Sequence, residues 1–232
     1  MEYKQELKNI KNSILNSYSQ IFFSDNNYYS LILVLVSFID FYAGFSGVIA
    51  VLSANFTAKV LGFNQNKIIK GVYGFNPLLV GIGLGIYFKF SIILLLIIII
   101  FSIFTLFINL ALEGILGKYY LPYLSIPFIL SIWTANLVSQ EISTIGISER
   151  GVYLLNDLYL LGGEKLVGFY TYFNELQIYI PVKTYLISLG AIFFQYNLLA
   201  GILIAVGLLF VSRISFILSI LGFASAYFFI KL

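Results

Sequence analysis

Apolar and polar positions along this chain fall into long blocks, and the blocks set the first picture of the fold. Tyr3, Leu7, Ile10 and Ile14 recur at helical spacing among charged residues, which predicts an amphipathic helix over 1–16, lying on a membrane or against a bundle. Ser19 to Phe23 is a short apolar stretch closed by Ser24-Asp25-Asn26-Asn27. It cannot span a bilayer, but it is long enough for a half-helix dipping into one. Ser30 to Leu61 is span-like with Asp40 inside it, and reads either as one long tilted helix or as two helices meeting near Asp40. After the polar, basic loop from Asn64 to Lys70, the run from Ile68 to Phe88 predicts the next span.

Phe90 to Leu112 is the clearest transmembrane segment, 23 residues without a charge, where about 20 apolar residues suffice to cross. Leu121 to Leu137 is a further apolar run, broken early by Pro122 and Pro127. Over 139–185 acidic residues and Gly162-Gly163 gather, which predicts a polar linker of short surface helices with room for one lesser span. Leu186 to Phe210 and Ile214 to Ile230 restore the apolar pattern, split at Ser212-Arg213.

Composition turns this pattern into a class. The 232 residues are 60% hydrophobic and 10% charged, with mean hydropathy +0.98. A soluble domain carries about 25% charged residues, so the chain reads as an integral membrane protein. The first eleven residues hold five charges with no apolar core and cleavage site directly behind them, which is not a signal peptide. With no Cys and no His, disulfides, thiolate or imidazole metal sites, haem ligation through His and His-based triads are all excluded. The net charge of +3 sits mostly between the apolar runs. It is loop charge, and nothing points to nucleic acid, a cofactor or a metal. Asp25, Asp40 and Glu113 are scattered, without the partners a catalytic site needs, so no enzyme is expected.

Two segments 171 positions apart are alike. Ser17 to Asn26 and Ser188 to Asn197 share five of ten residues, and Leu31 to Leu33 faces Ile202 to Ile204 in the same register. Internal repeats in membrane proteins usually build a pseudo-twofold bundle with discontinuous half-helices at the repeat interface. At this offset position 232 matches position 61, so the sequence is expected to hold about one and a third copies. On that count the 232 residues alone are expected to conduct little.

Two motifs carry chemistry. Gly71-Val72-Tyr73-Gly74-Phe75-Asn76-Pro77-Leu78-Leu79-Val80-Gly81 combines glycines that permit close helix approach with an Asn-Pro pair that offers amide and carbonyl groups. It reads either as a packing patch or as a pore element. In Leu121-Pro122-Tyr123-Leu124-Ser125-Ile126-Pro127-Phe128 two prolines remove N–H groups and free carbonyl oxygens, which at membrane depth are tolerated only inside protein or along a polar path. An interfacial loop at the head of the next span is the alternative.

Together these residues resemble the urea transporter family: Gln-x-x-Phe followed by Asn-Asn, then Gly-x-Tyr-Gly-Phe-Asn-x-x-Leu-Val-Gly, then Leu-Pro-x-x-Ser-x-Pro-Phe. The likeness covers about 14–137 and resumes from about 186. It implies an all-α integral membrane protein, a helical bundle with re-entrant half-helices built from an internal repeat. The implied segments are 1–16, a first repeat over 17–138, a linker over 139–185, and the start of a second repeat over 186–232. It further implies a multi-pass homotrimer in a bacterial inner membrane, with one narrow pore per protomer for urea or a similar small neutral solute. By the same resemblance Gln20, Phe23, Leu79, Ser125 and Phe194 contact the solute, while Asn76, Pro122, Pro127 and Phe128 belong to the pore motif. Ser125 replaces the family's usual Thr, and Ala191 stands where Gln or Glu is usual.

Urea is flat and rich in donors, and stripping its water without replacement costs about 2 to 7 kcal/mol per unpaired amide-like group. Carbonyl and hydroxyl acceptors along its edge, with Phe rings on its faces, would replace those bonds. No Gly-x-x-x-x-Gly-Lys loop occurs, so transport would be passive. The alternatives are passage of another small neutral amide, or a non-conducting membrane anchor or assembly subunit that keeps the fold.

Overall fold

The computed structural model describes residues 2–141, 146–148 and 150–231, and all regular structure among them is helical. The first helix, α1 (Glu2–Gln20), takes in the amphipathic segment and runs on through Ser17. The side chain of Tyr3 lies outside the described residues. α1 packs along the following helices, with Glu6 paired to Lys59 and the Asn16 amide donating to the Ile69 carbonyl at 2.7 Å.

Ser30 to Leu61 resolves into two helices, α2 (Asn27–Ser37) and α3 (Phe41–Val60). Asp40 is the reason: its carboxylate accepts from the Ala43 N–H at 3.0 Å and caps α3, satisfying one of the four N–H groups a helix start leaves unpaired. Asn26, Asn64, Ser91 and Asn197 do the same for α2, α4 (Gln65–Ile69), α6 (Ile92–Leu116) and α10 (Leu198–Val211).

The run from Ile68 to Phe88 is not one helix. Gly71 at φ 75° ends α4, and the chain restarts as α5 (Phe75–Tyr87). Pro77 lies in the first turn of α5, where no intrahelical N–H bond is lost, so the proline starts this helix and breaks nothing. Pro127 likewise sits in the first turn of α7 (Ile126–Glu141). Leu186 to Phe210 also divides, into α9 (Ile180–Ala191) and α10, with a turn between them. Within the expected linker, Arg150–Asn174 is helical but interrupted at Gly163, whose φ of 64° and ψ of −160° separate two helices, α8a and α8b. Residues 142–145 and 149 of that linker lie outside the described residues. α11 (Arg213–Lys231) closes the chain.

Two helices among the described residues are long and apolar enough to cross a membrane, Phe41–Val60 and Ile92–Tyr119. Of the shorter apolar helices, α2 packs with α3 and α5 packs with both α3 and α6, while α10 packs with α2 and α11 with α10. α3 and α5 share the most extensive packing. A Cβ on Gly81 would lie 2.5 Å from the Ala50 Cβ and 2.6 Å from the Ser46 carbonyl, and one on Gly85 would lie 3.0 Å from the Ala43 Cα. Between apolar helices in lipid, such small-residue contact supplies the van der Waals packing that hydrophobic burial cannot. One buried cluster joins α1, α2, α5, α9, the turn after α9, and α10 through Tyr18, Leu33, Leu78, Leu189, Phe193 and Ile204. A second joins α3, α5, α6 and α7 through Ala50, Leu84, Ile98 and Ile132.

Candidate functional site

Two turns of one design face each other in the first cluster. After α1, the N–H groups of Ile21, Phe22, Phe23 and Ser24 donate to the carbonyls of Tyr18, Ser19, Gln20 and Ser19. After α9, those of Ile192, Phe193, Phe194 and Gln195 donate to Leu189, Gly190, Ala191 and Gly190, each bond displaced by 171 positions. Phe23 and Phe194 both hold positive φ, 54° and 57°, a conformation rare for a bulky side chain. Asn26 and Asn197 then cap the next helix in each case. Phe22 and Phe193 stack on one another, centroids 6.4 Å apart and planes within 17°, and Tyr18 lies parallel to the Phe193 ring at 6.3 Å.

The second turn delivers Phe194 to the face of α5 and α7. Its ring meets Phe128 edge-on at 6.0 Å and Tyr87 at 5.9 Å, and a Cβ on Gly83 would come within 3.1 Å of the Phe194 Cζ. Leu79, buried, lies one turn before Gly83 and Asn76 one turn before Leu79, so all three share a stripe of α5. Phe194, Phe128, Leu79 and Asn76 are thus brought to one seam. Phe23 is not part of it: its ring is 75% exposed. The side chain of Gln20 is half-buried at the end of α1.

Asn76 ties this seam to the proline motif. Its amide donates to the Asn109 side-chain oxygen at 2.9 Å and to the Leu124 carbonyl at 3.1 Å. Both asparagines are fully buried, and the Asn76 oxygen and the Asn109 amide nitrogen have no partner of their own. Leu124 has φ 48°, and the neighbouring Tyr123 ring stacks on Phe75 at 6.3 Å.

Between the prolines the carbonyls of Tyr123, Leu124 and Ser125 each accept one bond, from Ile126, Asn76 and Ile129. A carbonyl oxygen accepts two, so these keep one lone pair each. Ser125 stands half-buried just before α7 and Pro127 is buried, while Pro122 is exposed. The arrangement offers weak acceptors beside aromatic rings, which suits a neutral planar molecule better than an ion.

Charge is confined to the flank. Lys67 pairs with Glu113, and this hydrogen bond raises the Lys67 pKa above the ordinary lysine value. Burial, followed by the nearby Glu113 charge, pushes the Tyr123 hydroxyl up as well, so it stays a protonated donor at any working pH. No group of three or more His, Cys, Asp or Glu that could hold a metal occurs among the described residues.

Sequence reasoning missed two polar residues. Asn109 is one amide inside the apolar α6, with a partner 33 positions away, which no local pattern reveals. Gln195 follows Phe194 and is buried, its Nε2 unpartnered. The match of 17–26 to 188–197 pointed at this turn, but it pairs Gln195 with a serine and so gave no hint of an amide.

Compared with known proteins, residues 12–232 match the family model described as "Urea transporter". No curated protein sequence matches the chain.

Proposed function

Because the chain belongs to the urea transporter family, whose members move urea across membranes, we propose that it carries urea passively along the seam between α5, α7 and the α9–α10 turn. The observation that carries this reading is that Asn76 holds the Leu124 carbonyl at one end of this seam while Phe128 and Phe194 meet edge-on further along it. The acceptors and rings so named carry no charge. In the pathway Ser125 and the carbonyls of 123–125 receive the urea N–H groups. Phe194, Phe128 and Leu79 line its faces, and Gln20 and Phe23 serve the first turn in the same way. The two matching turns are copies of one unit, the ends of re-entrant half-helices in a two-copy design. The setting is a bacterial inner membrane and the assembly a homotrimer.

Reconstituted vesicles test the proposal. The count of repeat copies predicts little conduction, but the family match runs over residues 12–232, so under an inward urea gradient vesicles holding the protein are expected to admit urea faster than protein-free vesicles, with no response to proton or sodium gradients. Equal rates sink it. The exposure of the Phe23 ring favours one second reading, a non-conducting membrane subunit that completes its slot only in an assembly. A chain that inserts into vesicles yet leaves urea flux at the lipid background would support that reading.

A further inference from the structure

Away from the seam, a cavity of about 980 Å³ opens between α1, α3 and α4 at the carboxyl end of α3. Its wall changes character along α3, a helix long and apolar enough to span. Leu52 and Phe56 are apolar and exposed, Asn55 is buried between them, and Lys59 stands one turn further, paired with Glu6 of α1. These four α3 residues lie at helical spacing on one face. Both polar atoms of the Asn55 amide lack a hydrogen-bond partner although the residue is only 7% exposed. A buried amide without partners is costly, and a ligand with an acceptor and a donor would satisfy it once the side chain turns toward the cavity, to which neither polar atom is open in its present position. The Glu6–Lys59 pair is half exposed, so it contributes little by itself and opens readily.

We infer that this groove is a binding site for one zwitterionic phospholipid. The sequence of polarity along α3 repeats that of the lipid: both charges at the mouth, an amide at the level of the ester-linked glycerol, apolar wall where the acyl chain runs. Lys59, one turn from Asn55, meets the phosphate, the part of the headgroup bonded to glycerol. Glu6 meets the ammonium. The site is separate from the urea pathway and does not depend on it.

The test uses the whole chain, purified in detergent, stripped of lipid and examined by native mass spectrometry with added dioleoylphosphatidylethanolamine. One lipid per chain is expected to survive activation that removes the rest, and dioleoylglycerol, with the same tails and no headgroup, is expected to be lost. Asn55→Leu is expected to lower retention about tenfold, the effect of one hydrogen bond to a partly desolvated group. A paired swap, Glu6→Lys with Lys59→Glu, alters only half-exposed groups, so helicity and melting are expected to hold while retention falls. The proposal is overturned if dioleoylglycerol is kept equally well, if the swap leaves retention unchanged, or if the anionic dioleoylphosphatidylglycerol is held more tightly. The chain has no native cysteine, so disulfide-linked pairs of a Phe56→Cys chain in membranes would identify a second copy as the occupant and overturn it too.

Discussion

Asn76 and Asn109 share a single hydrogen bond of 2.9 Å, and the same Asn76 nitrogen reaches the Leu124 carbonyl. One amide therefore joins α5, α6 and the proline segment, and holds Leu124 at a positive φ that leucine does not choose alone. Asn109→Leu removes an acceptor from a fully buried donor, which costs about 1 to 3 kcal/mol. A lower melting temperature is expected, together with faster hydrogen exchange confined to 121–126. Unchanged exchange in that segment would show that Leu124 is held by other contacts.

The α3–α5 pair has no room for a methyl group. Gly81→Ala would press a Cβ against the Ala50 Cβ and the Ser46 carbonyl, backbone and short side chain that cannot swing away. Overpacking of this kind costs about 1 to 3 kcal/mol. Gly114→Ala on α6 meets nothing within 4 Å, and the better helix former is expected to be neutral or to stabilise by up to about 1 kcal/mol. Thermal unfolding of the two variants side by side measures the contrast.

Ser125→Ala removes the hydroxyl and adds no bulk. Urea flux into vesicles is expected to fall, with melting and helicity unchanged, because Ser125 is half-buried and makes no capping contact that the fold needs. Equal flux would reduce Ser125 to a spacer between the prolines.

Alkaline pH separates the flank from the seam. The Lys67 pKa is raised by its bond to Glu113, so the pair's contribution is complete below the unfolded lysine value and is lost as pH rises through the folded one. Stability at neutral pH is thus expected to be insensitive to small pH changes and to decline only in the strongly alkaline range. Lys67→Met is expected to flatten that decline, which melting curves across pH would show.

Much of the fold was legible because its punctuation is chemical. Asp40 marked the point where one of two readings divided Ser30 to Leu61, and it does so by capping α3; Asn26, Ser91 and Asn197 cap their helices in the same way, a role the hydropathy pattern alone did not assign. The breaks at 21–26 and 192–197 were harder, since Phe23 and Phe194 carry the positive φ that glycine or asparagine usually announces. The polar cluster from Ser24 to Asn27 marked the first; only likeness to it at a distance of 171 betrayed the second, which the plain run of apolar residues from Leu186 to Phe210 hid. The prolines misled in the opposite direction. Placed in first turns, Pro77 and Pro127 take away no intrahelical bond, a distinction that depends on where the helix begins. At the site, Asn76, Phe128 and Phe194 could be named from motifs. The bond to Asn109 is a meeting of distant positions and belongs to tertiary structure alone.

The stacked rings of Phe22 and Phe193 have a consequence for what mutation can do here. Each occupies the same place in its own turn, so the contact is between like and like. Both positions belong to one chain, so they change independently and need complement each other without being alike. Phe193 is fully buried, so a lone charge there would lose its water with nothing to replace it. Such a change is countered by a partner at position 22 that can pair with it, not by a copy of itself.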